Sequence, residues 1–170
     1  MRQLTRWTGS DGSPRWSPDG SMIAYTRSVS DQDYHMYDEP VLSVVPAAGG
    51  EPRLLSRALD RPVYSPRWAR DGKHIIALVA DDREEYIAAF STQDGKLVRL
   101  SGGQRVFPTL EANGENWVTM SSDRQTPAEV YGFGGGGLRR FTHHMDAFLA
   151  PLQLATVNGF RSDSPHGTVG

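Results

Sequence analysis

Short apolar runs, each preceded by a turn signature, recur along the chain. The stretch "SPRWSPDGSMIAYTRS" at 13–28 returns as "SPRWARDGKHIIALVA" at 65–80, and a weaker copy, "FPTLEANGENWVTMSS", follows at 107–122. In each copy an Asp-Gly or Asn-Gly pair precedes a run with high β-propensity. A repeat of this length is typical of a fold that stacks one small unit several times.

Glycine specifies the turn in each copy. Pro18 presets a φ of about −65° for a type I turn, Asp19 can accept a bond from the local backbone, and Gly20 can take a positive φ. The other two copies keep Asp or Asn before Gly72 and Gly114 but lose the proline. We therefore predict hairpin turns with a glycine bulge, in which glycine is required and proline only restricts the unfolded chain.

Each unit predicts four short antiparallel strands. The runs "MIAYT", "HIIALV" and "NWVTM" are nearly continuously apolar, which predicts cover on both faces. Two further strands follow in each unit, and each unit closes on an apolar residue followed by Ser or Thr. A four-stranded unit of about 40–45 residues is typical of a propeller blade. The predicted fold is all-β, a partial β-propeller of about three four-stranded antiparallel blades, and helix is expected only in "HMDAFLAPL".

The predicted blades span about residues 5–56, 57–101 and 102–142, and a junction segment follows at 143–170. The first unit is about ten residues longer than the second, and the excess falls in "SVSDQDYHMYDEP", between its second and third strands. Propellers need about four to eight blades to close, so three blades leave two open flanks. The chain is then either part of a longer protein or completes its ring with another copy.

Composition narrows the function classes. A net charge of −2 and a pI of about 6.2 argue against nucleic acid as a partner. No apolar run approaches the ~20 residues of a membrane helix, and "MRQLTRWTGSDG" lacks the apolar core of a signal peptide. The chain has no cysteine, and hence neither a disulfide framework nor a thiol nucleophile. These features favour a cytoplasmic protein that does not act at a membrane.

The repeat resembles that of TolB-type propellers, and the C-terminal stretch resembles a more specific family. The pieces "TPAEVY" (126–131), "RFTHH" (140–144), Phe160 and "SPHG" (164–167) are similar to the propeller-to-hydrolase junction of S9 (prolyl oligopeptidase) serine peptidases. Acylaminoacyl peptidases and dipeptidyl aminopeptidases are the most similar branch. His166 replaces the Asp of the family's Ser-x-Asp-Gly motif, and Met145 stands where the family usually has Asn.

The resemblance implies peptide cleavage by a Ser-Asp-His triad in an α/β-hydrolase domain, which the propeller caps so that only small peptides enter. That domain would begin near residue 160. The nucleophile elbow G-x-S-x-G does not occur in this sequence, so we assign neither a catalytic residue nor a cofactor. Peptide substrate is expected only together with the hydrolase domain. The alternative is a self-standing propeller module that binds protein, including a second copy of itself through its open flanks.

Three motifs are compatible with a site but are expected to be structural. The run "GFGGGG" at 132–137 matches G-x-G-x-x-G, yet a strand follows it instead of the helix that a phosphate site needs. His143 and His144 with Asp146 lack the spacing of a metal site, and we predict a polar turn there. Glu84-Glu85 is comparable to the glutamate pair that grips a substrate amine in dipeptidyl peptidases, but it lies in an ordinary charged turn.

The predicted substrate-binding element is the acidic loop of the first unit, which contains Asp31, Asp33, Asp38 and Glu39. Such acids can attract a peptide amine or calcium, although the spacing of an EF-hand is missing. A solvated surface loop is the alternative. Trp16 and Trp68 occupy equivalent positions in the repeat, so both are expected to pack between blades.

Overall fold

The computed structural model describes residues 2–28, 39–135, 137–165 and 167–169. Three four-stranded antiparallel sheets follow one another in it, each ordered as its strands occur in the chain. The protein is a partial β-propeller, as the repeat predicts. Blade 1 comprises β1 (Asp11–Trp16), β2 (Met22–Arg27), β3 (Val41–Pro46) and β4 (Arg53–Leu54).

A 3₁₀ turn (Arg57–Leu59) leads from blade 1 to blade 2. Blade 2 comprises β5 (Val63–Trp68), β6 (His74–Asp81), β7 (Glu84–Ser91) and β8 (Leu97–Arg99). Blade 3 comprises β9 (Val106–Asn113), β10 (Asn116–Ser122), β11 (Glu129–Gly134) and β12 (Gly137–Arg140). A short helix, α1 (Asp146–Leu149), and a hairpin of β13 (Ser162–Ser164) and β14 (Gly167–Val169) complete the described elements. The additional length of the first unit lies between β2 and β3, where the sequence places it.

The Ser-Pro step of the repeat forms a β-bulge in the first strand of the blade. The register between the first two strands shifts between Gly12 and Arg15 in blade 1, and at the equivalent place in blade 2. Ser13 and Ser65 have φ values of 53° and 51°. A bulge leaves one residue unpaired, so a proline without an N–H is tolerated next to it. The sequence shared by the two copies therefore encodes a bulge as well as a turn.

The turn glycines adopt the predicted left-handed backbone. Gly20, Gly72 and Gly114 have φ values of 70°, 64° and 65°. In the first copy, hydrogen bonds from the Ser17 hydroxyl (2.6 Å) and from Ser21 lower the pKa of the Asp19 carboxyl to about 2. The third turn is tighter, because the residues on either side of Gly114-Glu115 pair directly across the hairpin.

We expect Gly20→Val and Gly72→Val each to lower the free energy of unfolding by roughly 1–3 kcal/mol, because a β-branched residue resists positive φ. An added Cβ would meet no atom within 4 Å at either glycine, so the loss reports backbone strain. Pro18→Ala should cost only about 0.4–1 kcal/mol. Urea denaturation of the three variants measures the difference, and a larger loss for the proline variant would contradict the turn assignment.

The Ser or Thr at the end of each repeat unit forms the last side-chain bond of its blade. Ser56, Ser101 and Thr142 each follow the fourth strand and accept a hydrogen bond from the backbone N–H of the third strand, at 2.8–2.9 Å. The donors are Leu42, Ile87 and Val130, respectively. The side chain thus continues the ladder by one bond after the fourth strand has turned away, which explains why Ser or Thr recurs at this position.

Two apolar clusters join the blades. The first contains residues of blades 1 and 2, with Leu42 and Val44 packed against Ile75 and Phe90. The second lies between blades 2 and 3, where Ile87 and its neighbours contact residues of β9 and β10. The middle strands of blade 2 are therefore covered on both faces, as the continuous apolar run "HIIALV" predicts. In blade 3 the same expectation for "NWVTM" is wrong, because Val118 and Met120 of β10 are exposed on the face that no described blade covers.

The two repeat tryptophans have different environments. Trp68 packs against the first cluster, and its indole Nε1 donates to the carbonyl of Arg15 in blade 1 (2.9 Å). Trp16, predicted to pack in the same way, is instead 64% exposed. The reason is positional: Trp68 has blade 1 before it, whereas no described blade precedes Trp16.

The N-terminal residues of the chain pack on the outward face of blade 1. Tyr25 and Val45 on this face are 4% and 2% exposed. Residues 2–10 lie along blade 1: the indole of Trp7 donates to Ser28 Oγ (3.2 Å), and the Arg27 guanidinium lies over both the Trp7 and the Tyr25 ring. The outward face of blade 3 is more open, as Val118, Met120 and Phe141 are 36–47% exposed.

Candidate functional site

An open cleft of about 1060 Å³ lies at one edge of the sheets. In an antiparallel meander the link between the second and third strands and the exit of the fourth strand share one edge. The cleft accordingly combines the β6–β7 turn with the links between blades, and the segment after blade 3 also contributes to its wall. Its lining includes Arg61, Asp82, Gln104 and Arg161.

Both carboxylates of the Glu84-Glu85 pair have partners within the chain. Glu84 accepts from the Arg99 guanidinium at 2.8 Å, and Glu85 accepts from the backbone N–H of Phe107 at 2.6 Å. The second bond ties β7 to the first strand of blade 3. The pair therefore lies at the start of β7, partly buried in the cleft wall, and the expected solvated turn is formed by Asp82 and Arg83 instead.

The tip of the β6–β7 hairpin is a strained two-residue turn. Asp82 and Arg83 have φ values of 35° and 68°, although neither is glycine. The Arg83 guanidinium, followed by that of Arg161, lowers the pKa of the Asp82 carboxyl. Asp82 is thus the point at which the C-terminal segment is attached to blade 2, through an ion pair of 3.3 Å with Arg161.

Of the predicted acidic element, Asp31, Asp33 and Asp38 lie outside the described residues, and Glu39 is described. Glu39 is partly buried and lies two residues before the start of β3. Burial, followed by the charges of Glu85 and Glu39, raises the pKa of the Tyr64 phenol. The backbone N–H of Val63 donates to the carbonyl of Pro40 at 2.8 Å, so the returning end of the acidic loop lies beside the start of β5, directly after Arg61 and Pro62 of the cleft lining.

The segment after blade 3 runs across the cleft-bearing edge. The Arg124 guanidinium, from the β10–β11 link, donates to the carbonyl of Val157 (2.8 Å), and Arg161 reaches Asp82 on blade 2. The segment bridges two blades through these contacts. Five of its larger apolar side chains are 43–80% exposed, namely Phe148, Leu152, Leu154, Val157 and Phe160.

The remaining sequence motifs have structural roles. Within "GFGGGG", Gly134 pairs with Gly137 across the β11–β12 hairpin, and strand follows in place of helix. His143 Nδ1 lies 2.9 Å from the Asp146 carboxylate, and His144 Nδ1 lies 3.2 Å from that of Glu129. Within the described ranges, no group of three or more His, Asp or Glu side chains has an arrangement that could hold a metal ion. None of the helices in the described part of the chain is long and apolar enough to cross a membrane.

The structure is similar to propellers of known structure. Acylaminoacyl peptidase from Pyrococcus horikoshii matches with a TM-score of 0.70 and 17% identity, over 88% of this chain and 23% of that one. A putative TolB from Agrobacterium tumefaciens matches with a TM-score of 0.60 and 23% identity, over 75% of this chain and 44% of that one. The β-propeller domain of the Trilobed protease from Pyrococcus furiosus matches with a TM-score of 0.61 and 18% identity, over 79% of this chain and 38% of that one.

No family model and no curated protein matches the sequence. The chain spans less than half the length of each of these three structures. At such identities the likeness shows the fold. The chain is a partial β-propeller of the kind found in acylaminoacyl peptidase, TolB and the Trilobed protease.

Proposed function

We propose that the chain is part of the β-propeller of an S9-type serine peptidase, of the acylaminoacyl peptidase or dipeptidyl aminopeptidase type. It is a non-catalytic element that covers the active site of a hydrolase domain and restricts entry to small peptides. The observation that carries this proposal is the segment after blade 3, which crosses the cleft-bearing edge and turns its apolar side chains outward. Such an exposed apolar row marks a surface for another domain.

Two further findings support the proposal. The motif "TPAEVY", which resembles the peptidase junction, leads into β11, and "RFTHH", which resembles it too, runs from the end of β12 into that segment. Acylaminoacyl peptidase is also among the structures with the same fold. In this arrangement the cleft opens toward the hydrolase domain, and the loop that ends at Glu39 is the element that meets a peptide amine. The absence of cysteine agrees with a cytoplasmic location.

Labelling with a fluorophosphonate probe tests the proposal, because this probe reacts with activated serines. Residues 1–170 should show neither labelling nor hydrolysis of acyl-aminoacyl chromogenic substrates above background. The protein as the genome encodes it should be labelled at a serine outside residues 1–170, within a G-x-S-x-G sequence. Turnover by residues 1–170 that is lost on replacing one of their serines would contradict the proposal, and so would an unlabelled full-length protein.

The open flank of blade 3 favours a second candidate, a propeller module that binds a second copy of itself. Val118 and Met120 occupy the repeat positions of Ile76 and Leu78, which pack blade 2 against blade 3. In this candidate, residues 1–170 associate through that face with no need for a hydrolase domain. Light scattering over a dilution series distinguishes the two, since a monodisperse monomer at micromolar concentration excludes the second candidate.

A further inference from the structure

Glu129 is the one carboxylate that is fully buried among the residues the structure describes, with its side chain 1% exposed. It lies at the start of β11 and contacts four groups. Arg140 Nη2 and the Met145 N–H donate to one oxygen at 3.2 Å, while the Thr142 hydroxyl donates to the other and His144 Nδ1 lies 3.2 Å from it. Three of these four groups belong to residues after β12. The carboxylate therefore binds the chain where it leaves the propeller.

A second set of contacts surrounds the first. The Arg140 guanidinium also binds the Asp146 carboxylate, and its Nε donates to the carbonyl of Thr142 at 2.8 Å. Asp146, the first residue of α1, accepts in addition from His143 Nδ1 at 2.9 Å. Arg140 thus bridges a carboxylate of the blade and a carboxylate of the departing segment.

Blade 2 provides an internal comparison. The closing hydroxyls align Thr142 with Ser101, which places Glu129 in register with Tyr86 and Arg140 in register with Arg99. Arg99 Nε likewise donates to the carbonyl two residues on, at 2.8 Å. In blade 2, however, the guanidinium stacks on the Tyr86 ring, 4.3 Å from its centroid, and the chain continues into the next blade. In blade 3 the Glu129 carboxylate therefore stands where blade 2 has the Tyr86 ring.

We propose that Glu129 is an anchor that fixes the direction in which the chain leaves the last blade, by holding residues 142–146 against β11. A buried carboxylate is tolerated only when hydrogen bonds and a counter-charge satisfy it, and bonds to an ionised group are stronger than neutral ones. All contacts of the anchor lie within residues 129–146, so it needs no other domain to form. Together with the proposed function, it would set the orientation of the hydrolase domain over the cleft.

The anchor should be sensitive to acid. The Thr142 hydroxyl, followed by His144, the Met145 N–H and Arg140, lowers the pKa of Glu129 from 4.5 to about 2, against the opposing effect of burial. A carboxyl whose pKa is lowered in the folded state stabilises that state at pH values above its ordinary pKa. This contribution is lost as the pH falls from about 4.5 toward 2. The other polar and charged groups around it are Ser121 on β10, Arg105 bonded to Ser121, Tyr131 on β11, His143 and Asp146.

Hydrogen exchange of residues 1–170 at pH 7, read by mass spectrometry, tests the anchor. Glu129→Gln keeps the shape of the side chain and removes its charge. We expect exchange in residues 142–150 to become about tenfold faster, with exchange in 106–122 unchanged. Asp146→Ala acts from the departing segment and should raise exchange in 142–150 in the same way. Glu84→Gln is the matched control, because Glu84 also pairs with the arginine of its blade but holds no departing segment.

Selective loss of protection in 142–150 for both Glu129→Gln and Asp146→Ala supports the anchor. Unchanged protection in both variants overturns it. Loss of protection throughout blade 3 in Glu129→Gln also overturns it, because Glu129 would then be required for the blade itself. An equal effect of Glu84→Gln on residues 142–150 would contradict it as well, because the segment would then respond to any lost ion pair.

Discussion

Phe107→Ala is expected to lower the free energy of unfolding by about 3–5 kcal/mol, one of the two largest effects anticipated for this chain. The Phe107 side chain is fully buried in the cluster between blades 2 and 3, where it packs with Ile76, Leu78 and Ile87. Truncation removes its buried surface and leaves a cavity that the surrounding strands can fill only in part. The bond from its backbone N–H to Glu85 is kept, so the loss reports packing.

Urea denaturation measures this loss against Val106→Ala, a truncation of the preceding residue on the same strand. Val106 is 44% exposed, so its variant should change stability by no more than about 0.5 kcal/mol. A similar loss in both variants would mean that the second cluster does not hold blades 2 and 3 together.

Gly95→Ala is expected to cost about 2–5 kcal/mol, for two reasons that add. Gly95 has a φ of 71°, which strains any residue with a side chain. A Cβ there would also overlap the carbonyl oxygen of Leu55, because the β7–β8 turn packs directly on the end of blade 1. Overpacking against a backbone atom cannot be relieved by a side-chain rotation and typically costs a further 1–3 kcal/mol.

Gly72→Ala separates the two contributions. Gly72 has nearly the same φ, 64°, but an added Cβ would meet nothing within 4 Å. Thermal unfolding of both variants should therefore show the smaller loss for Gly72→Ala, and the difference reports the contact between blades 1 and 2. Equal melting temperatures would contradict the close approach of Gly95 to Leu55.

The sequence by itself determined the unit of the fold. Turn glycines at 20, 72 and 114, the apolar runs after them, and the Ser or Thr that closes each unit identify three four-stranded blades. These signals are local, since positive φ and strand formation depend on a residue and its immediate neighbours. The Ser-Pro step was an equally local signal, and its recurrence at Ser13 and Ser65 could have predicted the bulge.

The environment of each side chain was decided by the tertiary structure. Trp16 and Trp68 share one local sequence, yet one is exposed and the other packs between blades, because burial depends on the neighbouring blade. The environment of the charged residue Glu129 could not be predicted from its local sequence either. Nothing in "TPAEVY" indicates a buried carboxylate, since the groups that satisfy it are 11–16 residues further along the chain and converge only when β11 and β12 pair.

The candidate site, too, could be predicted only in part from the sequence. The sequence predicts an acidic loop between β2 and β3, because insertions between strands of a repeat form loops, and of its four acids only Glu39 is among the described residues. The sequence does not predict that the returning end of this loop, at Glu39, lies by the cleft, or that Asp82 binds the segment after blade 3. Both contacts depend on which edges of adjacent sheets meet. Those contacts join residues up to 79 positions apart, and folding brings them together only because the apolar faces of successive blades must be buried against one another.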